Sequence, residues 1–320
     1  MFCKKMRFFI ALFVSLVIVD SLVAQSLDKE ESVRRGMQWM RDFNCNRRKF
    51  DYICSDYTVM LNELTLQGGR IGRIAESDLQ VVFARTACRL PLIFESNAYG
   101  AWDFLSFLYT FQRHSFPRKP FYDHFRSKLA KHFKNIPVEV FANAVKNNEY
   151  VKLGDILIDA CFVHWLNKDY PGVFPELPED LYPQYWELAK KGKFIYDDKA
   201  DIVVFFDQHY YVTHLVYVQT NYGVHPFPEG DFKEKIINYI KKHYEYARYK
   251  EKDLDLTAEF IHCLTMLGHG DCEQVKDGVK FLLANQHANG SWGTKEDLAS
   301  DPYVQCHSTW AVVVALHAAP

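Results

Sequence analysis

The sequence predicts an all-α fold: an α/α toroid of roughly six helical hairpins with irregular Pro-rich surface loops. Three observations carry it. Apolar residues recur at helical spacing along the chain, with few two-residue alternations. Proline clusters and single glycines fall where helices should end. A weak internal repeat runs through the second half: His214 and His262 stand 48 residues apart, as do Glu259 and His307. That period accommodates one hairpin, and apolar helices alternating with charged ones are the pattern of stacked repeats with an inner and an outer layer.

Residues 1–24 read as a signal peptide. Lys4, Lys5 and Arg7 precede an apolar run from Phe8 to Val19, and Ser21-Leu22-Val23-Ala24 precedes Gln25. The run is shorter than the roughly 20 apolar residues of a spanning helix and Asp20 ends it. Cleavage after Ala24 and an extracellular, secreted product are therefore expected, without stable membrane insertion. Residues 25–320 then form one domain, with a less regular helical half (25–170) and a repeat-like half (195–320).

A helix from Ser32 to Phe43 places Val33, Met37 and Met40 on one face, and Ser77 to Leu90 does the same with Leu79, Val82, Phe83 and Ala87. Further helices fit 98–113, 121–134 and 150–166. Pro171, Pro175, Pro178 and Pro183 then impose a long surface loop. Beyond it, helices fit 201–219, 231–249, 254–267, 273–286 and 304–318, with Gly223, Gly268 and Gly270 at C-terminal cap positions. Lys and Arg between Lys233 and Lys252 are interleaved with Glu234, Glu245 and Glu251, the mark of a solvated outer helix.

Composition narrows the function classes. A net charge of −2 lacks the concentrated basic face of a nucleic-acid binder. The 25 Phe, 19 Tyr and 6 Trp favour a folded chain with ring-lined pockets. Cys3 leaves with the signal peptide, so seven cysteines remain, an odd number for an oxidising compartment. Cys45 and Cys54, flanking the turn-like Asn46-Arg47-Arg48, are the expected disulfide, whereas Cys161 and Cys263 sit in apolar helical patterns as packed thiols. Asn289-Gly290-Ser291 is an N-glycosylation sequon.

The C-terminus carries a resemblance. Gln286-His287-Ala288-Asn289-Gly290-Ser291-Trp292 is similar to the QxxxGxW turn of terpenoid cyclases and related α/α toroids. Tyr303 through Cys306-His307-Ser308-Thr309 resembles the last inner helix of protein prenyltransferase β subunits, which implies a zinc-binding histidine at His307. Departures limit what carries over: there is no DxDD acid motif, only Asp253-Leu254-Asp255, and Asp207-Gln208-His209 stands in place of an Asp-x-Cys element. Thioester domains share the toroid, but Cys272-Glu273-Gln274 lacks the glycine and the spacing their bond requires.

Inner helices of such a toroid aim side chains at one central cavity, where ligands from different repeats can converge on a divalent ion. Metal-ligand candidates are His214, His307, His209 and His262, and Glu259 and Asp207 are the acids for catalysis. His209 lies about 140° around the helix from His214, so the two bind together only if the helix begins between them. Asp255, Glu259 and His262 form one i, i+4, i+7 stripe. Asp155, Asp159 and His164 read first as helix-surface groups, with a place in the same cavity as the alternative. The expectation is a metal-dependent enzyme with zinc, or copper or iron if redox-active, and no nucleotide cofactor, acting on a small organic or peptide-like substrate by hydrolysis, cyclisation or oxidation. The alternative is a secreted binding or structural protein on the same scaffold.

Overall fold

The computed structural model describes residues 29–95, 101–117, 136–174, 177, 179–194, 201–294, 297, 299 and 302–320. The expected signal peptide and the helix expected over 121–134 lie outside them. Among the described residues every regular element is helical. In chain order these are α1 (29–45), α2 (Arg47–Leu66), α3 (Gly69–Glu95), α4 (Ala101–Arg113), α5 (Val138–Asn147), α6 (Tyr150–Asp169), α7 (Tyr182–Ala189) and α8 (Ile202–Thr220). They continue with α9 (Asp231–Glu245), prolonged by a π-helical turn Tyr246–Glu251, then α10 (Leu254–Met266), α11 (Glu273–Ala284) and α12 (Pro302–Ala318). No described helix is long and apolar enough to cross a membrane.

The even-numbered helices pack in a closed cycle. α2 lies against α4, α4 against α6, α6 against α8, α8 against α10, α10 against α12, and α12 returns to α2. Odd-numbered helices back this ring: α3 on α2, α5 and α7 on α6, α9 on α10, and α11 on α10 and α12. The division follows from composition. α8 has buried residues on all its sides, among them Phe205, Tyr211, Val212, Leu215, Val216 and Val218, because ring neighbours flank it and an outer helix covers its back. α9 buries Ile236, Ile237 and Ile240 and turns its lysines to solvent.

Local signals set the ends. The Asp201 carboxylate accepts from the Val203 amide at 2.9 Å to cap α8, and that of Asp253 accepts from Leu256 at 3.0 Å to cap α10. The first described helix is tied to the C-terminal segments. Lys29 Nζ donates to the carbonyl of Ala319 at 2.6 Å, Arg35 to that of Ala288 at 2.8 Å, and Gln286 Nε2 to those of Ser32 at 2.8 Å and Gly290 at 3.0 Å. Trp292, fully buried, donates Nε1 to the Leu282 carbonyl at 2.7 Å. Gly290 is required here: its φ is +95°, and a Cβ on it would meet the Arg35 carbonyl oxygen at 2.6 Å.

Two expectations are corrected. Residues 47–66 are helical rather than turn-like, and a single non-helical residue separates α1 from α2. Cys45 is exposed and Cys54 fully buried, and the two are not joined, because helix replaces the loop that a local staple needs. Cys161 and Cys263 are buried free thiols, as their apolar helices predict.

Candidate metal centre in a central cavity

The ring encloses a cavity of about 660 Å³, and every helix of the cycle reaches it. α2 supplies Asp56 and Glu63, α4 Asp103, α6 Asp155 and Asp159, α8 His214 and Tyr217, α10 Glu259, and α12 Tyr303, His307 and Trp310. The spacings are those of single helical stripes: seven apart on α2, four on α6, and four then three on α12. Among the described lining residues there is no lysine or arginine, and the acids outnumber the histidines.

Glu259 and His307 of the cavity lining, together with Asp255, each offer a donor atom within 4.8 Å of the others. His307 Nε2 lies 3.4 Å from Asp255 Oδ2 and 4.0 Å from Glu259 Oε1, too far for strong hydrogen bonds. Supporting groups hold each of them. Tyr210 donates its hydroxyl to Asp255 Oδ2 at 3.0 Å, and Thr213 donates to Glu259 Oε2. The Tyr303 ring stacks on His307 at 4.8 Å between centroids, and Trp310 meets the imidazole edge-on at 5.4 Å. Asp255 Oδ1 and His307 Nδ1 are buried without a hydrogen-bond partner among the described residues.

Electrostatics follow from burial. The Glu259 carboxyl is pushed well above its ordinary range by burial and then by Asp255 beside it. Asp253, just before α10, is pushed up to about 6 by the same two causes. The His214 imidazole goes the other way, down to about 4, through burial and the proximity of His307, so it is neutral at pH 7. Gly154 of α6 leaves space for that ring, since a Cβ there would stand 3.2 Å from Nδ1. Two carboxylates and one imidazole are a donor set that fits zinc or manganese.

The predicted residues divide. Glu259, His214 and His307 reach the cavity, and Glu259 and His307 meet there. His209 does not: it is fully buried in the seam with α9, its Nδ1 2.6 Å from the Tyr239 hydroxyl and its ring 4.9 Å from that of His243, with its pKa pushed down to about 3 by burial. His262 faces α2, with Nε2 3.7 Å from Glu63 Oε2, and is not one of the converging donors. Asp207 is half-buried away from the cavity, with Asp201 as its charged neighbour. All three lie on the right helices but the wrong faces. Asn289 is exposed, its Oδ1 accepting from the Ser291 amide and hydroxyl. Asp155 and Asp159 line the cavity rather than the outer surface, whereas His164 pairs with Asp180 at 2.8 Å.

Sequence reasoning missed Asp56, Glu63, Asp103 and Tyr303. A signal for the first two was present, because they stand seven apart in a stretch whose Tyr57, Met60, Leu61 and Leu64 are apolar. Residues 182–318 match a family described as a domain of unknown function, DUF6895, a range that holds α7 through α12 and with them Asp255, Glu259 and His307. Comparison with curated proteins and with solved structures gives no match.

Proposed function

We propose that this chain is a secreted, metal-dependent hydrolase on an α/α-toroid scaffold, with a divalent ion held by Asp255, Glu259 and His307 in the central cavity. The observation that carries the reading is the convergence of these three donors, two of which line a cavity whose described residues are rich in acids and include no lysine or arginine. The closed cycle of even-numbered helices supports the toroid. The signal-peptide pattern supports secretion, while the free thiols pull the other way. A bound zinc or manganese ion would supply Lewis acidity and an activated water. Donors of this hardness, without thiolate or a second imidazole among them, favour hydrolysis over copper or iron redox chemistry.

The chain's own groups divide the remaining work. Tyr210 and Thr213 fix the carboxylates, and Tyr303 and Trp310 fix the imidazole plane. His214, neutral and on the same cavity wall, is placed to accept a proton. Glu259 thus becomes a ligand rather than the catalytic acid, and His214 a base rather than a ligand.

The test is metal analysis of the purified full chain, together with chelator-sensitive release of product from a panel of esters and amides. One equivalent of zinc or manganese should survive gel filtration, and Asp255→Asn or His307→Ala should weaken binding by more than about 100-fold. Folded protein that takes up no ion, or that keeps it in both variants, overturns the assignment.

A further inference from the structure

Apart from the Asp255–Glu259–His307 group, the cavity carries five more carboxyls: Asp56, Glu63, Asp103, Asp155 and Asp159. Asp56 stands out among these because it is only 6 % exposed and yet lines the cavity. No cation or side-chain donor reaches it among the described residues, and its charged neighbour is another carboxylate, Asp103. Ser55 donates its hydroxyl to Asp103 Oδ1 and so orients it. A buried carboxylate beside a like charge is costly unless a proton or a cation joins it.

The surroundings decide which cation. A metal ion needs at least three convergent donors, and among the described residues such convergence is found at Asp255, Glu259 and His307 and does not include Asp56 or Asp103. An organic ammonium tolerates looser geometry, needs two or three acceptors, and gains from an aromatic face. That face is present. Tyr303 lines the same cavity as Asp56 and Asp103, and its ring stacks on His307 at 4.8 Å between centroids.

We propose that Asp56 and Asp103, with the ring of Tyr303, form a subsite for a protonated amine of the substrate, adjacent to the Asp255–Glu259–His307 group. The substrate class is then an amine-bearing ester or amide, the amino-terminal residue of a peptide included. This rests on the hydrolase reading only for where the reacting bond lies, since the ammonium subsite is defined by its own residues.

The test uses the full chain, metal-loaded and chelator-treated in parallel, titrated with benzylammonium and with its neutral isostere benzyl alcohol. Benzylammonium should bind at least about tenfold more tightly than the alcohol. Asp56→Asn, which relieves a like-charge contact and should fold, should remove that preference, and so should Asp103→Asn as a second variant. Equal binding of the two probes, or an undiminished preference in a folded Asp56→Asn or Asp103→Asn variant, overturns the subsite. So does the loss of one metal equivalent in Asp56→Asn, which would make this a second ion site. If no metal binds but the Asp56-dependent preference holds, the subsite stands and the metal reading falls.

Discussion

At the scale of single residues, Glu259 concentrates the chemistry. Its carboxyl sits well above the ordinary range because it is buried and beside Asp255. A carboxyl raised on folding contributes stability that is complete below its unfolded value of about 4.5 and is lost as pH rises through the folded value. Metal-free protein should therefore lose urea resistance from pH 5 to 8, and Glu259→Gln should flatten that decline; parallel profiles for the two proteins would contradict the perturbed carboxyl. Glu259, His214 and His307 were legible because each interrupts an apolar helical pattern. Asp207, His209 and His262 look the same in sequence, yet face elsewhere. Composition marks a polar group on an inner helix, and only the packing of that helix decides which side the group is on.

The helix is the scale at which the sequence was read best and also where its largest omission lies. The interleaved lysines and glutamates of α9 announced a solvated outer helix, whereas the capping acids Asp201 and Asp253 emerge only from the structure. α2 was hidden by its start: Asn46-Arg47-Arg48 between two cysteines invited a stapled turn. Its loss from the reading took Asp56 and Glu63 with it. The turn after α11, singled out for its likeness to the QxxxGxW turn, has a steric requirement of its own. Gly290→Ala would force a side chain at φ +95° into the Arg35 carbonyl. It should cost about 2–4 kcal/mol in chemical denaturation, combining backbone strain with overpacking. A cost below about 0.5 kcal/mol would mean that α1 does not depend on this turn.

For the molecule as a whole, the all-α class was readable from periodicity, but the cyclic neighbour order was expected only from a weak repeat, because contacts between distant segments leave no local trace. His317 Nε2 meets the Leu64 carbonyl at 3.2 Å, and Lys29 holds the last two carbonyls, so the terminus buttresses α2 and α1 at once. Deleting residues 317–320 should lower Tm by roughly 5–10 °C and weaken metal binding in the same preparation. Unchanged metal affinity would show that ring closure and the site are independent. The tie between Lys29 and Ala319 also imposes an order in time, since it joins residues 290 positions apart. Synthesis at roughly 5–20 residues per second separates the appearance of these partners by tens of seconds. His307 lies on a helix made after α10, and until that helix docks Asp255 and Glu259 have no imidazole to face. On the proposed reading, capture of an ion by this group therefore waits for α12 and takes place in the compartment where that helix docks.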